Sequence, residues 1–440
     1  MDNLNGSKFF HFVAYLNEKV KLIKTTAKSE SKAFQLFEVL NDRGRSLEPM
    51  DLIKNSFLKR LDSDKITSEQ KKNFSTDWTE FLSNLKINSR KVIPSSVFLK
   101  QFLLSKYGKN LKKDDLFDFF RKEDLKKFET PNEGFKLSGN EILDFAKDLN
   151  SYSKIYADIE KNPITNKFGT FDQMFILFKV LHIKQFHPLL MLFYFSDEES
   201  KEKILSACVR LGVSIMFSFT QTNKIESMLP DFISKYYTMK NQYDEKVALD
   251  KLISNMNEKI ADQKTALKTS LENRTLKKAK AVSLLKTIEL LINDNSLVKT
   301  SDGKHNEFQL EHILPQTRNN NSASLEDLEF ESDKDYKDHL FLIGNLTFLN
   351  RSDNSSADNK DFYDKKKIYM NTEYKITKSI VGSWKSNTKS GKTSDSIATI
   401  LNYEKPYDTK LWTKSMINDR SKDIARLMVD FTNDDLDIPK

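Results

Sequence analysis

The chain has 440 residues and a single cysteine, Cys208. One thiol excludes an internal disulfide framework and any multi-thiolate zinc site built within one chain, and it suits a reducing cytosol. Cys208 itself is expected in the core. Long hydrophobic runs are missing as well: the longest, residues 186–195, is broken at Pro188 and is far short of a membrane span. The apolar stretch 9–15 lacks a basic flank and a small-residue cleavage site, so no signal peptide is expected. No internal repeat or low-complexity tract stands out. These absences point to a soluble, cytoplasmic protein with no membrane partner, and the length allows two to three domains, each with its own core.

Charge of one sign is only slightly in excess. Lysine and arginine number 71 against 63 acids, a formal net charge of +8, which permits contact with phosphate without proving it. The surplus is uneven. Residues 301–440 hold 21 basic and 24 acidic side chains, a balance of −3, which leaves +11 for residues 1–300. Inside the acidic part, residues 360–392 carry nine lysines against Asp361, Asp364 and Glu373.

Strand-like alternation of any length is absent between about residues 61 and 299, and amphipathic helices are expected there instead. Phe74, Trp78, Phe81 and Leu82 form one apolar stripe, and Val97, Leu99, Phe102 and Leu103 another. Buried helices are expected over residues 171–181 and 189–195, followed by 204–219 and 229–237. The 32 phenylalanines are assigned to core filling rather than base stacking. Linkers are expected at residues 130–139 and 162–169. Residues 251–297 read as long, charged and helical, and Lys277-Lys278-Ala279-Lys280 within them is either a solvated helix face or a phosphate-tracking one.

Two patterns carry more information. Near the start, Phe34, Phe37 and Leu40 recur at helical spacing, Asn41-Asp42-Arg43-Gly44 breaks the helix, and Asp51 restarts one. Taken alone this is a helix, a glycine-capped turn and a helix. Further on, Phe308, Leu310 and His312 alternate with Gln309 and Glu311 in a short strand ending at Pro315, and residues 343–349 read as a second strand. Residues 354–359 supply turn and cap residues, with Phe362, Lys366 and Tyr369 on a following helix. The polar, acidic segment 319–338 reads as a surface insertion.

Phosphodiester hydrolysis needs a deprotonated water, charge stabilisation and help for the departing oxygen. His312 has the pKa range of a general base, while Glu311 and Asn354 offer the hard oxygens that Mg²⁺ prefers. Asn345 is a candidate to hold the His312 ring or its backbone, and Lys366 with its neighbours to hold the phosphate. His11, His182, His187, His305 and His339 fall outside the pattern and are taken as non-catalytic. Each residue also has a plainer reading: a histidine before a proline is often structural, and Asn354 is in a place to cap a helix.

The C-terminal pattern resembles the HNH domain of GmrSD-type, modification-dependent restriction enzymes, whose signature is Glu-His-Ile-x-Pro-Gln, Gly-Asn-Leu-x-x-Leu and Asn-x-x-x-x-Asn-x-x-Phe-x-x-Lys. Here these are Glu311 to Gln316, Gly344 to Leu349, then Asn354, Asn359, Phe362 and Lys365. The Asn345-to-Asn354 spacing also resembles the HNH domain of the RNA-guided CRISPR nuclease, in which an acid, a histidine base and a late asparagine serve one magnesium. Trp412, Ile417 and Arg420 resemble the family's closing helix. Phe37 to Leu52 resembles the last motif of the family's ParB-like N-terminal domain. That resemblance assigns Asn41, Arg43 and Gly44 to the nucleotide-binding side of the domain, although the family's upstream Asp-Gly-Gln-Gln-Arg motif does not occur in this sequence.

The resemblance implies a mainly α protein with a small α+β domain. Residues 1–60 would be a remnant of the ParB-like sensor, so that the chain begins inside that domain; residues 61–299 would be a helical region and 300–440 a ββα-metal (HNH) nuclease domain. It implies a Mg²⁺- or Mn²⁺-dependent endonuclease that cuts modified, foreign DNA in anti-phage restriction. Nucleotide triphosphate would be used by the intact system, with the missing motif supplied by an upstream segment or a separate subunit, and homo-oligomers stay open. A non-catalytic DNA-binding subunit and an RNA-cleaving toxin are the alternatives.

Overall fold

Apolar residues repeating every three to four positions give a mainly helical protein with two small two-stranded sheets. The computed structural model describes residues 6–21, 49–121, 137–161, 176–221, 223–292, 308–318, 323–382 and 410–433. Asn41, Arg43 and Gly44 lie outside the described residues, as do His305, Lys385, Lys389, Lys392 and the expected linker 162–169. Among the described residues, no helix is long and apolar enough to cross a membrane.

Contacts divide the chain into two compact units. The first comprises Met1–Ser83, Pro94–Val97 and Lys112–Ser151; the second comprises Asn84–Ile93, Phe98–Leu111 and Tyr152–Lys440. These boundaries do not coincide with divisions at 60 and 299.

Within the first unit, helices α1 (Gly6–Lys19), α2 (Pro49–Ser63), α3 (Ser68–Asn84), α4 (Ser95–Tyr107), α5 (Leu116–Arg121) and α6 (Gly139–Lys161) begin or lie, α3, α4 and α6 running into the second. Phe57 of α2 gathers the aromatic core, meeting Trp78, Phe120 and Phe145 edge-on at centroid distances of 5.5–6.1 Å. Phe74, Trp78 and Phe81 are buried as the stripe requires, whereas Leu82 and Val97 face solvent. Two helices start where local chemistry says they should. Thr67 and Gln70 exchange reciprocal backbone bonds at the head of α3, and Ser138 and Glu141 do the same at α6, so each start has a capping box.

The second unit contains α7 (His187–Leu192), α8 (Glu198–Phe217), α9 (Asn223–Lys240), α10 (Glu245–Ala261), α11 (Lys264–Asn273) and α12 (Lys278–Ile292). A π-helical segment, Ile176–Val180, precedes α7. Helix α8 is buried along most of its length and holds Cys208 in the core, where burial pushes the thiol pKa up. The described part of the charged stretch, residues 251–292, is helical as expected and is divided among α10, α11 and α12. A hairpin of β1 (Lys86–Asn88) and β2 (Lys91–Val92) also interrupts the region expected to be free of strands; three residues against two are too few for a period of two to register.

The second sheet pairs β3 (Gln309–His312) antiparallel with β4 (Leu346–Leu349), Glu311 opposite Thr347 and His312 opposite Leu346. Residues 343–345 form a 3-10 turn, so β4 is shorter than the expected 343–349. The segment before it is no mere surface insertion. Leu328, Phe330 and Tyr336 are buried in the same cluster as Ile313, Leu314 and Trp412, and α13 (Asp333–His339) follows from a Ser332 cap. After β4 come α14 (Arg351–Ala357), α15 (Phe362–Asn371), α16 (Lys375–Ser379) and the closing helix α17 (Lys414–Thr432).

Helix α17 fixes the turn that leads into β4. A Cβ on Gly344 would lie 1.9 Å from the Ile417 carbonyl oxygen, so only glycine permits this approach. The Gly344 N–H donates to Ser421 Oγ at 3.0 Å, and Arg420 Nη1 donates to the carbonyls of Ile343, Gly344 and Leu346 at 2.8–3.2 Å. Buried Glu289 of α12 caps α16 by accepting from the amides of Lys375 and Ile376 at 2.8 and 2.9 Å. Helices α11 and α12 therefore pack as part of the C-terminal domain, α11 along α17.

Candidate active site

Strand β3 ends in two buried polar residues, and the domain is built around them. Glu311 is 4% exposed and His312 8% exposed. Lys365 of α15 is fully buried, with Nζ 2.8 Å from Glu311 Oε1, 2.7 Å from the His312 carbonyl and 3.4 Å from that of Ile313. The Tyr369 hydroxyl, one turn on, donates to the same Glu311 oxygen at 2.9 Å. Burial raises the Glu311 pKa against the pull of Lys365 and Tyr369, and burial lowers that of Lys365. The pair thus carries a desolvation cost that its contacts offset.

His312 is held neutral. Burial first, and the Lys365 ammonium second, push its pKa down to about 4. Its Nδ1 lies 2.9 Å from the Gln316 amide nitrogen, and its ring meets Phe341 edge-on at 5.1 Å. Nε2 is buried without a hydrogen-bond partner. Turning the Gln316 amide over exchanges donor for acceptor without moving heavy atoms, and the tautomer of His312 follows it.

Asn345 is fully buried and fastens the backbone beyond His312: its Oδ1 accepts from Leu314 N at 2.8 Å, its Nδ2 donates to Leu340 O at 3.1 Å, and its carbonyl accepts from Ile313 N at 2.9 Å. It contacts the backbone, not the ring. Asn354 lies within α14, which packs against β3 and β4. The cap of that helix is Asn350, which accepts from Asp353 N at 2.7 Å, so the capping reading of Asn354 does not hold. Asn354 Oδ1 is buried and makes no hydrogen bond. Asn359 accepts from Thr317 N at 3.2 Å and ties the end of α14 to the segment after Pro315.

The lysine that reaches the site is Lys365, not Lys366. Lys366 is half-buried, with Nζ 5.3 Å from the Phe362 ring, and makes no hydrogen bond to Glu311 or His312. Sequence reasoning also left Tyr369, Gln316 and Phe341 without a role at the site. For Tyr369 a signal existed, since Phe362, Lys365 and Tyr369 follow a helical 3–4 spacing on one face. For Gln316 and Phe341 none did, because their contacts depend on the turn after Pro315 and on the α13–β4 connection. His339 bonds the Asp335 carbonyl at 2.8 Å, and His187 packs at 4.7 Å on Tyr156 beside Glu160, both apart from the site.

Among the described residues no group of three or more His, Cys, Asp or Glu side chains is placed to hold a metal. A two-oxygen donor set, Glu311 carboxylate and Asn354 amide oxygen, is nevertheless consistent with a hard cation that keeps most of its water, and the unbonded, buried Asn354 Oδ1 fits that use.

A buried acid beside a neutral histidine with an unbonded ring nitrogen is the equipment of a hydrolase. Residues 256–427 match the family model of the GmrSD restriction endonucleases, C-terminal domain. The chain is similar to that family over this segment, and the match begins within α10, ahead of residue 300. Comparison with curated proteins gave no match.

Proposed function

We propose that the C-terminal domain is a metal-dependent HNH endonuclease that cleaves DNA, with β3, β4 and α14 as its ββα-metal core. The observation that carries this reading is that His312 Nε2 and Asn354 Oδ1, on elements that pack together, are each buried without a hydrogen-bond partner. A buried polar atom left unbonded costs about 1–3 kcal/mol, a cost that a bound cation, water or substrate at these two atoms would relieve.

Glu311 and Asn354 would hold Mg²⁺ or Mn²⁺. The ion, when bound, supplies Lewis-acid stabilisation of developing negative charge. His312 Nε2 takes the proton from the attacking water. For this the ring must carry its own proton on Nδ1, which requires the Gln316 amide, whose nitrogen lies 2.9 Å from Nδ1, to be turned over so that its carbonyl oxygen accepts there and fixes the tautomer. Lys365 and Tyr369 aim Glu311, and Asn345 locks the backbone that aims His312. Lys366, half-buried, and the exposed Lys360 and Lys367 are left for the phosphate side. Foreign, modified DNA as the natural target and restriction of phage as the role follow from the family reading.

Purified protein incubated with supercoiled plasmid and Mg²⁺ or Mn²⁺ should nick it, EDTA should stop the reaction, and His312→Ala should abolish it. Full nicking by His312→Ala would overturn the base assignment. Parallel digestion of structured RNA separates a DNase from an RNase. One observation favours a second reading, a binding subunit without catalysis: Glu311 Oε1 is already occupied by Lys365 and Tyr369. Salt-dependent DNA binding with no cleavage under any metal would establish that reading.

A further inference from the structure

The segment joining α11 to α12 and the first turn of α12 carry four cations in seven residues: Arg274, Lys277, Lys278 and Lys280. The first three are exposed and Lys280 half-buried, and among the described residues no carboxylate forms an ion pair with any of them. The nearest acid in sequence, Glu272, pairs instead with Lys268 at 4.0 Å. Arg274 and Lys280 crowd one ring, Phe219, with Cζ at 5.1 Å and Nζ at 3.7 Å from its centroid. Burial and then the neighbouring Arg274 charge lower the Lys280 pKa. Like charges gathered without a counter-ion raise the energy of the free protein and favour an anion that relieves them.

This cluster is tied directly to the candidate site. The Leu276 N–H, in the middle of the cationic segment, donates to the Phe341 carbonyl at 2.8 Å, and the Phe341 ring is the one packed edge-on against His312. Phe341 itself is 40% exposed, so this link lies at the surface of the described residues. A phosphodiester chain with one phosphate at His312 extends to either side of it, and the cationic segment is joined to the His312 neighbour Phe341. We propose that Arg274, Lys277, Lys278 and Lys280 form the surface that grips the DNA backbone flanking the phosphate cut at His312. Cleavage at His312 rests on the nuclease reading above; binding by these four cations does not.

The test is a charge reversal, Lys277→Glu with Lys278→Glu, in the full chain. Acidic residues in the first turn of α12 favour the helix, so the fold is preserved, which a melting curve checks. Binding to a fluorescent DNA duplex is measured in EDTA across a salt series. The reversal should weaken binding about tenfold or more at low salt and lower the slope of log K against log salt by about two, one for each phosphate no longer neutralised. The same change of charge elsewhere, Lys72→Glu with Lys112→Glu, should do far less. In Mg²⁺, KM should rise while kcat stays within about twofold. Unchanged affinity and slope, or an equal weakening in the control, would overturn the proposal. Because binding is read without cleavage, failure of the His312 assignment and failure of this surface are separate outcomes.

Discussion

Lys365 and Glu311 form a buried ion pair, 2.8 Å apart, that joins α15 to the end of β3 and also fastens the carbonyl of His312. Removing one partner of such a pair leaves the other charged and desolvated. Lys365→Met should therefore destabilise the protein by about 3–5 kcal/mol. The adjacent Lys366→Met should change stability by less than about 0.5 kcal/mol. Urea denaturation of both variants checks the contrast; equal effects would refute the assignment of the inward-facing lysine.

Gly344 is where α17 comes closest to the turn before β4. Gly344→Ala puts a methyl group 1.9 Å from the Ile417 carbonyl, and backbone on both sides leaves no easy relief. We expect a loss of at least about 2 kcal/mol. Ser421→Ala, which removes only the hydrogen bond to Gly344 N, should cost about 1 kcal/mol. Thermal melts of the two variants should rank in that order.

The pH dependence of stability should show Glu160, far in sequence from the candidate site. Burial raises its pKa, but hydrogen bonds and charge from His187, Lys91 and Lys184 outweigh burial and hold it well below the usual carboxylate range. A folded pKa below the unfolded one means that the unfolded chain binds the proton first. The contribution is thus complete above about pH 4.5 and is lost as pH falls through the folded value. The stability gap between the wild type and Glu160→Gln should be constant near pH 7 and shrink below about pH 4.5. A gap that grows in acid would contradict the assignment.

Gln316 is the only side chain hydrogen-bonded to the His312 ring among the described residues. On the proposed mechanism Gln316→Ala should lower kcat by about 10–100-fold with little change in KM, as the loss of a residue that orients a ligand or base does. Gln316→Glu keeps an acceptor at Nδ1 and should retain more activity, with the acid limb of its pH–rate profile moved upward because a carboxylate favours the imidazolium. Equal loss in both variants would remove Gln316 from the tautomer argument.

Much local chemistry was legible. The apolar stripe of α3, the buried helix α8 and the two strands β3 and β4 were read from residue type and spacing, whereas the capping boxes at Thr67 and Ser138, though local, were not singled out. The motif residues Glu311, His312, Asn345 and Asn354 could be selected for the same reason: their chemistry and their spacing are properties of the chain. What lay beyond reach was orientation. Lys365 and Lys366 both satisfy helical spacing with Phe362 and Tyr369, and only the position of β3 against α15 decides that Lys365 enters the core. Asn354 resembles a cap in sequence because the true cap, Asn350, lies four residues earlier in an equally polar run. The acidic segment before β4 has the composition of surface, yet Phe330 and Tyr336 anchor it beneath Trp412.

By itself, then, the sequence determined a mainly helical protein, which follows from periodicity, and marked Glu311, His312, Asn345 and Asn354 as site candidates, on residue type, spacing and the family resemblance. The tertiary structure alone decided which lysine pairs with Glu311, that Gln316 and Phe341 flank His312, and that Leu276, amid the cations of Arg274 to Lys280, bonds to Phe341. Each of these depends on contacts between segments far apart in the chain, whose energies come from packing and desolvation that no local pattern encodes.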